Sequence, residues 1–72
     1  MNPMETLQII CNGEIRRVAP GTTVDALIRE LRLDPAQVAV ELDGRILARR
    51  ELGHITLAAD SRLELIRFVG GG

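Results

Sequence analysis

The sequence predicts an α+β fold, a mixed sheet of four to five strands with one helix packed across one face. Three observations carry this prediction. Apolar residues alternate in separate short stretches, one intervening stretch repeats them at helical spacing, and glycine-containing pairs suited to turns stand between the stretches.

The first stretch, Thr6 to Cys11, places Leu7, Ile9 and Cys11 on one face of a strand, and Asn12-Gly13 directly after it is a strong hairpin signal. The return strand is expected from Glu14 to Val18. Ile15 and Val18 there are out of period-two phase, which predicts a bulge or a strand end. Pro20-Gly21 closes the hairpin as turn punctuation. Thr22 with Asp25 three residues on forms a capping-box arrangement, so a helix is expected from about Thr23. Val24, Leu27, Ile28 and Leu31 fall at i, i+3, i+4 and i+7, one apolar stripe, while Asp25, Arg29, Glu30 and Arg32 take the solvent side. Asp34-Pro35 ends the segment, because a residue before proline avoids the α region.

Val38, Val40 and Leu42 then alternate with Ala39 and Glu41 as a half-buried strand, and Asp43-Gly44 turns it toward Arg45-Ile46-Leu47. Ala48 to His54 reads as a loop with one helical turn. Ile55 and Leu57 suggest a very short strand. After a turn at Asp60-Ser61, Arg62 to Val69 forms the last strand, with Leu63 and Leu65 pointing inward and Glu64, Ile66 and Phe68 pointing the other way.

The chain has 72 residues, 46% hydrophobic and 26% charged. One small domain, 1–72, is expected, since the usual domain runs about 100–150 residues. A chain of this size buries only about 60% of its unfolded surface, which leaves little material for a deep catalytic pocket. No catalytic side chain is therefore assigned. The net charge of −1 lacks the basic excess that binding to a phosphate backbone needs, so nucleic acid is not an expected partner. All nine basic residues are arginine, and the absence of lysine removes every side-chain amine. The single cysteine, Cys11, cannot form an internal disulfide, which fits a reducing, cytoplasmic setting. It reads as a small core residue. Cys11 and the one histidine, His54, cannot supply a four-ligand metal shell, and no membrane-spanning run occurs.

The informative feature is the end of the sequence, where the last strand runs through Phe68-Val69 into Gly70-Gly71-Gly72. Three successive glycines carry high backbone entropy and have no side chain to bury, so they are expected to form a flexible tail. Such a tail can lie in a channel only as wide as a backbone. It delivers a carboxylate, with a reference pKa of about 3.5, that is ionised at neutral pH.

The Asn12-Gly13 hairpin, Gly21-Thr22-Thr23-Val24, the segment from Val38 to Arg49 and the ending Phe68-Val69-Gly70-Gly71-Gly72 together resemble the sulfur carrier proteins of thiamine biosynthesis. These are ThiS-type members of the ubiquitin-like, β-grasp family. The resemblance runs from Met4 onward, with Met1 to Pro3 as a short extension, and the Val-Ala-Val-Glu segment with the Phe-Val-Gly-Gly-Gly end favours the thiamine branch over the molybdopterin branch. Asp43-Gly44 stands where the family commonly has asparagine-glycine, and Ala48 where proline is frequent. Neither touches the tail.

The resemblance implies that the carboxylate of Gly72 is adenylated by an E1-like partner enzyme using ATP, with Gly70 and Gly71 threading that enzyme's active site. A persulfide derived from a cysteine desulfurase then converts the adenylate to a thiocarboxylate, and the sulfur passes to a thiazole synthase. The chain itself binds no cofactor in this reading. The expected docking surface for these partners is an apolar patch of Ile10, Ile66 and Phe68, with Arg67 or Arg49 adding charge. Other readings of the same residues are a molybdopterin synthase small subunit, another sulfur carrier or protein modifier, and a β-grasp interaction module that carries no sulfur.

Overall fold

The structure, a computed structural model, describes residues 5–68. Its first strand, β1 (Leu7–Cys11), reverses at Asn12 and Gly13, whose φ values of 51° and 80° are both positive, as a two-residue hairpin turn requires. The return strand, β2 (Glu14–Val18), pairs antiparallel with β1 in five successive rungs, from Cys11 opposite Glu14 to Leu7 opposite Val18. The expected bulge is absent. Val18 is buried opposite Leu7 and Ile15 lies opposite Ile10 on the other face, so the broken alternation reflects an exposed isoleucine in a regular strand.

A turn over Ala19 to Thr22 follows, with Pro20 and then Gly21 at φ 91° in its centre, the residue order of a type II turn. The helix, α1 (Val24–Glu30), is capped by Thr23, whose Oγ1 accepts from the Ala26 amide at 3.1 Å. The cap thus falls one residue later than the Thr22–Asp25 pair suggested. Thr22 instead donates its hydroxyl to the Ala19 carbonyl, and Asp25 pairs with Arg29 at 2.8 Å. The remaining free amides at the helix start are also satisfied: Val24 donates to the Ile55 carbonyl and Asp25 to that of Leu52. The helix ends before Asp34-Pro35. Arg32 takes a φ of 63° and donates to the Arg29 carbonyl while Leu33 donates to that of Ile28, which is a Schellman closure built without glycine.

A 3₁₀ turn (Pro35–Gln37) leads into β3 (Val38–Leu42), which turns at Asp43 and Gly44, both at positive φ, into β4 (Arg45–Leu47). A second 3₁₀ turn (Arg49–Glu51) is the helical turn expected in that loop. Ile55 and Leu57 form no strand. A single bridge joins Thr56 to Thr23, and Leu57 is buried beneath it. The last strand, β5 (Arg62–Arg67), stops before Phe68, whose amide still donates to the Gln37 carbonyl at 2.9 Å, and Val69, the expected end of the strand, lies outside the described residues.

The sheet order is β2-β1-β5-β3-β4, with β1 and β5 parallel and every other pair antiparallel. This is the mixed five-stranded sheet with one helix that the sequence predicts, in a β-grasp arrangement. Ile9, Leu63, Val24, Leu27, Ile28 and Leu52 are fully buried between sheet, helix and loop. Each such side chain is favoured inside by about 1.5–3 kcal/mol. No helix among the described residues is long and apolar enough to cross a membrane.

Candidate functional site

The central strand β5 positions the candidate site, because it carries core residues on one face and an open surface on the other. Leu63 and Leu65 are 1% and 8% exposed, whereas Ile66 and Phe68 are 62% and 57% exposed. The period of two makes this division inevitable once Leu63 faces the helix. β5 thereby brings Phe68 to the edge of the described structure, and Gly70, Gly71 and Gly72 lie outside the described residues.

Ile66 sits opposite Ala39 of β3, with Phe68 next on the same face. Ile10 takes a different place. It is half-buried, pairs with Arg62 at the start of β5 and faces Ile15 across the hairpin. Ile66 lies four positions along β5 from Arg62, a distance of about 13 Å. The apolar patch of Ile10, Ile66 and Phe68 expected from the sequence is therefore divided, with Ile66 and Phe68 at one end and Ile10, beside Ile15, at the other. Arg67 is exposed opposite Val38, on the core side of the strand's alternation.

The structure adds Ile46, 77% exposed and directly opposite Glu41, to the Ile66 and Phe68 end. The register of the Asp43-Gly44 hairpin held the signal for it. Leu42 opposite Arg45 puts Leu47 on the core face with Val40, and so leaves Ile46 outside. Ile46, Phe68, Val38, Ala39, Leu47 and Arg49 are among the residues lining a groove of about 250 Å³ beside the point where β5 ends. Among the described residues of that lining, Arg49 is the one charged group. Arg45 is engaged with Glu51 at 3.2 Å, and the other oxygen of Glu51 accepts from the Ala48 amide at 2.7 Å. Together the Ala48 amide and Arg45 hold the Glu51 carboxyl below its usual range.

Cys11 lies on the core face of β1, 5% exposed, and burial pushes its thiol up. A thiol in that state is a poor nucleophile. His54 is exposed in the loop after Glu51. Among the described residues no group of three or more His, Cys, Asp or Glu side chains is placed to hold a metal ion. The Asn12 side chain ties the hairpin to β5, its Oδ1 accepting from the Leu65 amide at 2.8 Å. The site is thus an apolar surface and groove at the end of the strand that leads to residues 69–72, suited to contact with another protein.

The family model described as the ThiS family matches residues 9–72. The chain belongs to the ThiS family. Among solved structures, this ThiS-family chain is similar to the thiamine biosynthesis protein ThiS of Geobacter metallireducens. The crystal structure of that protein superposes with a TM-score of 0.77 at 29% identity, over 92% of this chain and 100% of that one. Its solution structure gives a TM-score of 0.75 at 30% identity, over 92% and 88%. Similarity extends to proteins described as thiazole synthases. One from Magnetococcus marinus is 35% identical and one from Paramagnetospirillum magneticum 33% identical, each over 66 residues that make up 92% of this chain. The chain spans about a fifth of the length of these curated relatives, 20% of each.

Proposed function

We propose that this chain is a sulfur carrier of thiamine biosynthesis, with the carboxylate of Gly72 as the group that carries the sulfur. The observation that carries this reading is the ThiS-family match, which continues through the triglycine to residue 72. The structure supports it by setting an exposed apolar surface, Ile46, Ile66 and Phe68, beside the strand that leads into those glycines.

In this reading a carboxylate oxygen of Gly72 attacks the α-phosphorus of ATP on an adenylating enzyme, and pyrophosphate leaves. The acyl-adenylate then has AMP as a good leaving group. The outer sulfur of a persulfide, derived from a cysteine desulfurase, displaces AMP, and a thiol cleaves the resulting S–S bond to leave the thiocarboxylate. That sulfur is nucleophilic and travels without release of free sulfide. Gly70 and Gly71 thread the partner's channel because they have no Cβ. The chain supplies the reacting carboxylate and a docking surface, and the partner supplies the catalytic groups. The likeness to thiazole synthases supports a thiazole synthase as the protein that takes the sulfur.

The test is deletion of Gly72. Thiazole formation in a reconstituted system with the adenylating enzyme, ATP and a persulfide donor is expected to be abolished, while the thermal transition of the chain stays unchanged. Retained thiazole formation would exclude Gly72 as the carrier.

A further inference from the structure

On the open face of the sheet, one rung runs from Ile46 on β4 through Glu41 on β3 to Glu64 on β5. Glu41 and Glu64 are direct cross-strand partners, so their Cβ atoms are about 4.5–5.5 Å apart, and like charges in that relation destabilise a sheet. Neither has an ion-pair partner among the described residues, although Arg62 lies two positions from Glu64 on the same face. The fold gains nothing from this pair.

The next rung on the same face is Ala39 opposite Ile66. Small Ala39 between larger neighbours leaves a shallow depression of about 80 Å³, bounded by Ile46, Ile66 and Glu41. Ala39 and Glu41 are two residues apart on one strand, roughly 7 Å. An apolar trough therefore ends at Glu41, whose cross-strand partner is Glu64, after about the length of one long cationic side chain.

The geometry points to an arginine side chain of a protein partner as the occupant of this depression. Its aliphatic stem lies over Ala39 between Ile46 and Ile66, and its planar guanidinium bridges Glu41 and Glu64 with charge-assisted hydrogen bonds. The two carboxylates, costly to each other in the free chain, become complementary to the partner on docking. This places negative charge on the docking face, beside the positive charge that Arg67 or Arg49 is expected to add. The inference rests on the proposed use of this face for docking, and it is tested without the adenylating enzyme so that the two can fail separately.

The experiment is a titration of the isotope-labelled full chain with the peptide acetyl-Ile-Arg-Ile-amide, followed by amide chemical shifts, beside the same peptide with citrulline for arginine. The arginine peptide is expected to shift Ala39, Glu41, Glu64 and Ile66, with the citrulline peptide at least about threefold weaker. A double variant, Glu41→Gln with Glu64→Gln, is expected to remove that difference while melting no lower than the original chain. Equal binding of both peptides, no binding, or shifts centred elsewhere would overturn the inference. Concentration-dependent shifts of these four amides without peptide would do so as well, by placing a second copy of the chain there.

Discussion

The two faces of the sheet carry similar residues and do different things. On the inner face, Ile9, Leu63 and Leu65 are buried against Leu27 and Ile28 of the helix. On the outer face, Ile15, Ile46, Ile66 and Phe68 are all more than half exposed. Apolar area contributes to folding only where it leaves water, so the outer residues add little to stability. In the proposed function, the Ile46, Ile66 and Phe68 end of this face, beside the strand that leads to the triglycine, is the surface that meets a partner. The strand period thus divides apolar residues that build the core from apolar residues that stay in water, and the proposed function gives the second set a use.

The sharpest way to break the comparison is a matched pair of truncations on β5. Leu63→Ala, on the inner face, is expected to cost about 2–5 kcal/mol in denaturant unfolding, through lost burial and a cavity. Phe68→Ala, on the outer face, should change stability by no more than about 0.5 kcal/mol. Its effect is expected in the partner reaction, where the KM of the chain for the adenylating enzyme rises at least about tenfold. Equal losses of stability for the two variants would erase the distinction between the faces.

Asn12→Ala tests how the hairpin is tied to the central strand. It removes the acceptor for the Leu65 amide and places alanine at a φ of 51°, with an expected loss of about 1–3 kcal/mol. Thr23→Ala removes the helix cap and should lower stability by about 1 kcal/mol, whereas Thr22→Ala should cost less. Thermal melts of the two threonine variants side by side check which residue is the cap.

The smallest effect concerns acid. Because the Ala48 amide and Arg45 lower the pKa of Glu51 in the folded chain, the unfolded chain binds more protons there as pH falls. The stabilisation is therefore present above the ordinary glutamate pKa, about 4.3, and is lost as pH drops through the lower folded value. The melting temperature of Glu51→Gln should lie below that of the original chain at neutral pH, and the gap should close toward strong acid. A gap independent of pH would remove this account of Glu51.

Much of the fold is legible in local sequence because its signals are local. Asn12-Gly13 and Asp43-Gly44 meet the turn requirement of two positive φ values, and Leu63 and Leu65 give the correct inward face of β5. Where signals compete, the reading slips. Two adjacent threonines each qualify as a cap, and Thr23 is the one used where the Val24 and Asp25 amides donate to the Ile55 and Leu52 carbonyls of a distant loop. The helix end lies hidden because Arg32 adopts a conformation more usual for glycine. Leu52 and Leu57 are core residues in irregular chain, where no period marks them.

The candidate site divides in the same way. Ile66 and Phe68 follow from alternation within one strand, but the separation of Ile10 from them depends on the parallel pairing of β1 with β5, which no local pattern encodes. Ile46 was accessible through hairpin register. The Glu41–Glu64 rung joins residues far apart in sequence and emerges only from the pairing of β3 with β5.

The central claim is that the fold holds an outer docking face beside a reactive Gly72 carboxylate. Its most direct test is intact and fragment mass measurement of the chain after incubation with the adenylating enzyme, ATP and a persulfide donor. The expected result is replacement of one oxygen by sulfur, confined to the fragment ending in Gly72, and its loss in a folded Phe68→Asp variant. No mass change in the original chain, or sulfur found on Cys11, would contradict the account.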